Sequence, residues 1–124
     1  MSKKNFFKTE TITFLQLRSR DVICFFTIGV LINFATLFML NFGDRTHFLL
    51  PILFINTAIS FFVAFSFVDA ADDFKAAMDD LDDEEKNSAS AKRFIATPWV
   101  VFKVLLGGIF VISPILIIYS VLTI

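Results

Sequence analysis

Three long apolar runs decide what this chain can become: Val22 to Phe42, Phe48 to Val68, and Trp99 to Ile124, the last interrupted only by Lys103. An α-helix rises 1.5 Å per residue, so about 20 apolar residues cross the roughly 30 Å of hydrocarbon in a bilayer. In water, 124 residues of which 56% are hydrophobic would expose too much apolar surface. The sequence therefore predicts an all-α integral membrane protein with three transmembrane helices, spanning 22–42, 48–68 and 99–124. The first run has a basic flank, as a signal peptide would. At about 21 residues it exceeds the usual apolar core of about 7–15 residues, and no Ala-x-Ala site follows, so it is expected to stay as a membrane span.

Lysine and arginine predict the orientation. Residues 1–21 carry Lys3, Lys4, Lys8, Arg18 and Arg20, and residues 69–98 carry Lys75, Lys86, Lys92 and Arg93. The short link 43–47 carries only Arg45. Basic loops stay on the cytoplasmic side, which puts the N-terminus inside and the C-terminus outside. The expected location is a cell inner (plasma) membrane; in an organelle the basic side would face the matrix or stroma. Trp99 and Tyr119 stand where rings at opposite interfaces are favoured, and Lys103 is close enough to its end to snorkel outward.

The cytoplasmic face is where the sequence predicts contact with other molecules. Residues 1–21 can form a basic interfacial helix, with Phe7, Phe14, Leu15 and Leu17 beside Lys4, Lys8, Arg18 and Arg20. No Gly or Pro occurs between Pro51 and Pro98. The second span is therefore expected to continue as a long acidic helix over 69–86, reaching roughly 25 Å beyond the bilayer. A loop over 87–98 would follow, with Thr97 capping the third helix and Pro98 in its first position. Phe74, Met78 and Leu81 fall on one helical stripe. Together with Asp79, Asp80, Asp82 and Asp83 they make a candidate partner-binding surface. Residues 69–98 hold nine carboxylates against four cations, while residues 1–21 hold five cations against two acids. Asp79 to Glu85 has the acid density of a calcium loop but lacks the glycine such a loop requires, and it falls on a predicted helix.

Inside the spans the polar residues are few. Gly29, Asn33 and Thr36 share one stripe, as do Asn56, Ser60 and Ala64, while Gly107 and Gly108 mark the third span. Small and hydrogen-bonding residues are what helices use to associate in lipid, so these are the predicted helix-packing positions. An antiparallel hairpin would bring Asn33 and Asn56 within about two turns of each other in depth. Pro114 is expected to free a carbonyl that Ser113 or a neighbouring helix re-satisfies. Several of the 18 phenylalanines cannot fit a three-helix core and must face lipid or another subunit.

The sequence carries no catalytic constellation. There is one histidine, His47, and one cysteine, Cys24, with no phosphate loop or nucleophile elbow. No cofactor, metal or nucleic-acid partner is expected. The partners expected are the lipid bilayer and other membrane subunits, in a hetero- or homo-oligomer. The layout resembles that of small three-helix membrane proteins, among them holins, colicin-type immunity proteins and small subunits of respiratory or secretion complexes. The expected function is that of a non-enzymatic accessory or assembly subunit. A pore-forming, holin-like oligomer and an immunity protein are the alternatives.

Overall fold

A computed structural model describes the backbone of residues 3–43 and 45–123; side chains are described from residue 10 on, except at 12, 44–46, 90, 94 and 124. The described residues are helical with no strand. In chain order the elements are α1 (Lys3–Phe42), α2 (Arg45–Asp79), α3 (Asp83–Lys86), α4 (Ala89–Ala96), α5 (Trp99–Phe102), a π-helical turn (Lys103–Gly107) and α6 (Gly108–Thr123). Three stretches are long and apolar enough to cross a membrane: Thr13–Phe42, His47–Asp79 and Trp99–Thr123. The α5–π–α6 stretch is one continuous rod and forms the third of these.

α1 is unbroken over 40 residues. Residues 3–21 are continuous with the first span, with no Gly or Pro between Lys3 and Thr27 to divide them. Arg18 and Asp21, at i,i+3 spacing and 3.6 Å apart, add local support. Phe14 and Leu17 are exposed and Leu15 half-buried, whereas the side chains of Lys4, Phe7 and Lys8 lie outside the described residues. The hairpin link expected over 43–47 contracts to residues 43 and 44. Gly43 closes α1 with its N–H donating to the Met39 carbonyl at 2.8 Å, and a Cβ at that position would lie 2.6 Å from the carbonyl oxygen. Arg45 already opens α2.

α2 stops at Asp79, short of the expected Glu85. Helix C-termini disfavour negative charge and N-termini favour it. Continuing the helix would load its last two turns with Asp79, Asp80, Asp82, Asp83, Glu84 and Glu85. The chain instead restarts at Asp82 with a capping box: Glu85 N–H donates to Asp82 Oδ1 at 2.8 Å, and Asp82 N–H donates to Glu85 Oε2 at 3.1 Å. Asp83, Glu84 and Glu85 then occupy the first turn of α3. The segment expected as a loop over 87–98 contains α4, opened by Ser88, whose Oγ accepts from the Ala91 N–H at 3.2 Å. Thr97 does not cap the third rod. Its hydroxyl donates back to the Arg93 carbonyl at 2.9 Å. Ser113 donates to the Ile109 carbonyl at 2.7 Å, one residue short of the carbonyl that Pro114 frees.

α2 is the central element, packed along α1 on one side and along the third rod on the other, while α1 and α6 touch little. Val63, Ala64 and Phe67 of α2 and Phe110 of α6 form the core. Phe67 stacks on Phe110 with centroids 5.7 Å apart, and Phe26 of α1 meets Phe110 edge-on at 6.0 Å. Where α1 and α6 diverge, an apolar groove of about 530 Å³ opens, lined by Phe26, Asn33, Phe34, Phe110, Ser113 and Ile117 among others.

The predicted packing positions divide clearly. Gly29, Thr36, Asn56, Ser60, Ala64 and Gly107 are buried, and Asn33 is half-buried against α2. A Cβ on Gly107 would make ordinary contact with Val68 at 3.6 Å, whereas one on Gly108 would meet nothing within 4 Å. Gly29 is the close approach: a Cβ there would overlap the Phe110 ring, with Cδ1 and Cζ each at 2.9 Å. Gly29→Val should therefore cost about 1–3 kcal/mol through overpacking. Gly108→Ala should cost nothing and can gain up to about 1 kcal/mol from helix propensity. Thermal unfolding in detergent micelles separates the two; equal effects would contradict this packing.

Candidate functional site

Charge gathers at one end of the bundle. Counting from the hairpin turn, Arg18 lies 24 residues before Phe42 and Asp69 lies 24 residues after Arg45. At 1.5 Å per residue both sit about 36 Å from the turn, so an antiparallel pair must bring them level. The Arg18 guanidinium donates through Nη2 to Asp69 Oδ2 and through Nε to Asp73 Oδ2, each at 2.6 Å. One cation thus ties α1 to two successive turns of α2. The Arg18 side chain is only 19% exposed, while that of Asp69 is 73% exposed, so the clasp is sheltered on the α1 side and open on the α2 side.

The third rod joins through Lys103, which pairs with Asp72. In an uninterrupted α-helix Lys103 would share one stripe with Phe110, Pro114 and Ile117, at i+7, i+11 and i+14. Those three face the core. The π turn over Lys103–Gly107 changes the register between them, so the ammonium leaves the apolar stripe and reaches the carboxylate. Asp69, Asp72 and Asp73 of α2 therefore hold both neighbours, and Lys103 is paired rather than simply snorkelling.

Just beyond the clasp, Phe74 is buried and stacks on Trp99 with centroids 5.6 Å apart. Met78 is buried as well, and Leu81 is half-buried. Of the Phe74/Met78/Leu81 stripe expected to meet an outside partner, the first two members are covered by this chain itself. Helical periodicity identified an apolar face, and the returning Trp99 occupies part of it. The acids divide too. Asp82 is engaged as the cap of α3, while Asp79, Asp80 and Asp83 are exposed.

A second polar group lies midway along the apolar length. Asn56 Nδ2 donates to Asn33 Oδ1 at 3.3 Å and reaches the Ile32 carbonyl at 3.5 Å, while Asn33 Nδ2 donates to the Gly29 carbonyl at 2.8 Å. Asn56, Ser60 and Thr36 are almost completely buried. No group of three or more His, Cys, Asp or Glu side chains among the described residues is placed to hold a metal ion. No family model, curated protein or solved structure matches this chain.

Replacing Arg18 leaves Asp69 and Asp73 one turn apart without their shared donor. Hydrogen bonds to charged groups contribute about 1.5–3 kcal/mol when sheltered, and exposure of the acids lowers that. Arg18→Gln should destabilise the bundle by about 1–2 kcal/mol. Arg18→Lys should lie between Gln and wild type, because an ammonium lacks the planar fork that reaches both acids. Melting curves in micelles at low and high salt should show the Gln deficit shrinking as salt screens the charges. A deficit independent of salt would mean that Arg18 acts through packing alone.

Proposed function

We propose that this chain is a three-span integral membrane protein, N-terminus cytoplasmic and C-terminus external, that serves as a non-enzymatic accessory or assembly subunit of a larger membrane complex. The observation that carries the membrane part is the separation of charge from apolar length. Three rods long enough to span hydrocarbon have their ionic groups collected at one end, in a layer about 36 Å from the hairpin turn. That distance suits roughly 30 Å of hydrocarbon plus part of a headgroup layer. Ten of the 11 lysines and arginines belong to the charged end, which makes it the cytoplasmic one.

The subunit part rests on what faces outward. Phe34, Phe38, Phe42, Phe54 and Phe65 are each more than 60% exposed, a large aromatic surface for lipid or a neighbouring helix. The most buried polar groups, Thr36, Asn56 and Ser60, point into the chain and not toward a lumen that copies of it could share. This favours a packing role over a pore. At the cytoplasmic end the exposed acids Asp79, Asp80 and Asp83 offer negative charge to a basic partner surface. The Phe74/Met78 stripe serves the chain's own cap.

Two measurements bear on this reading. An alkaline phosphatase fused after residue 124 should be active and one fused in the 87–88 turn silent; the opposite pattern would refute the orientation. On blue-native gels after mild solubilisation the protein should migrate within a larger assembly. The variant Asp79→Asn/Asp80→Asn/Asp83→Asn should still insert but run as the free chain. A solitary monomer in every mild detergent would end the subunit reading.

A further inference from the structure

Most helix hydroxyls among the described residues bond a carbonyl of the preceding turn. Ser19, Thr27, Thr36, Thr57, Ser66 and Ser113 each donate to the carbonyl four residues earlier, at 2.7 to 2.8 Å. Ser60 does not. Its Oγ is fully buried, with the residue 0% exposed, and has no hydrogen-bond partner within the chain. One turn earlier on the same face, the Oδ1 of Asn56 is in the same condition, with the residue 1% exposed.

The orientation of the Asn56 carboxamide is set by its neighbours. Its nitrogen faces two acceptors, Asn33 Oδ1 and the Ile32 carbonyl. Turning the amide over would set oxygen against oxygen. Asn33 is fixed in the same way, because its own nitrogen donates to the Gly29 carbonyl. Asn56 Oδ1 is therefore an acceptor that needs a donor, and Ser60 is a hydroxyl that needs a partner. Buried polar atoms in native proteins are almost always satisfied, by ordered water where protein does not reach them. Side chains at i,i+4 on a helix have their Cβ atoms about 5–6 Å apart, a gap that one water can bridge. Burial of both residues shuts out an external partner, and Val63 and Ala64, buried on the same helix, carry no polar side-chain group.

We propose that Asn56 and Ser60 hold one water molecule inside the bundle, which donates to Asn56 Oδ1 and accepts from the Ser60 hydroxyl. The Asn33–Asn56 bond then becomes part of a longer chain, running from the Gly29 carbonyl through both amides and the water to Ser60. The site lies about 20 Å from the hairpin turn, near the middle of the apolar length.

Nuclear Overhauser measurements on the full ¹⁵N-labelled chain in micelles test this. The Asn56 side-chain amide protons should show cross-peaks to the water resonance, with the sign of a molecule bound longer than the tumbling time. Ser60→Ala, a small change that leaves the fold intact, should abolish them; unchanged Asn33 amide shifts and Trp99 emission would confirm that the hairpin is still closed. The proposal is overturned if the wild-type cross-peaks are absent. It is equally overturned if they survive in Ser60→Ala, or if Asn56 contacts a Ser60 hydroxyl proton at its own frequency, which would mean a direct bond.

Discussion

The bundle is organised around three aspartates on one turn and a half of α2. Asp69 and Asp73 take Arg18 from α1, and Asp72 takes Lys103 from the third rod. Within the apolar length the register is marked by few specific contacts, the Gly29–Phe110 approach and the Asn33–Asn56 bond among them. Ionic contacts with a definite geometry cannot slide. The clasp therefore sets the register of both neighbours on α2, and features farther along inherit it. With Arg18 level with Asp69, Asn33 stands opposite Asn56 and Gly29 comes to the depth of Ser60. With Lys103 held by Asp72, Phe110 arrives against Gly29 and Phe67.

The same arrangement explains why the central helix carries acids at its charged end when its neighbours carry bases. α2 touches both other helices, and these touch each other little. A single acidic patch on the shared element serves two partners. Beyond the clasp the accumulated negative charge becomes a burden for a helix C-terminus, and the chain answers by ending α2 and placing the next acids at the N-terminus of α3. The short cap that results turns α4 back toward α2 and delivers Trp99 onto Phe74.

Much of this was legible in the sequence, and the parts that were not have physical reasons. Apolar run length identified the three long helices, and the antiparallel count placed Asn33 and Asn56 at similar depths, though not in a hydrogen bond. The pairing of Arg18 with Asp69 and Asp73 was also latent, since counting residues from the hairpin puts them level; summing charge by segment conceals it. Asp82-x-x-Glu85 is a capping-box pattern that the expectation of a continuous helix, based on the absence of Gly and Pro, left out of account. Two features were out of reach. The π turn depends on the competition between Lys103 reaching Asp72 and Phe110 filling the core. Phe74 and Met78 form an apolar stripe whatever covers them, and only the returning chain shows that the occupant is internal.

Charge exchange across the clasp tests this account most directly. Arg18→Glu and Asp73→Arg each set like charges against one another and should lower the melting temperature in micelles. Their combination restores an opposite-charge pair between α1 and α2 and should recover more than half of the summed loss, a coupling expected only of residues in contact. A double variant as unstable as the sum of the two single ones would show that Arg18 and Asp73 do not meet, and the register built on their contact would fall with it.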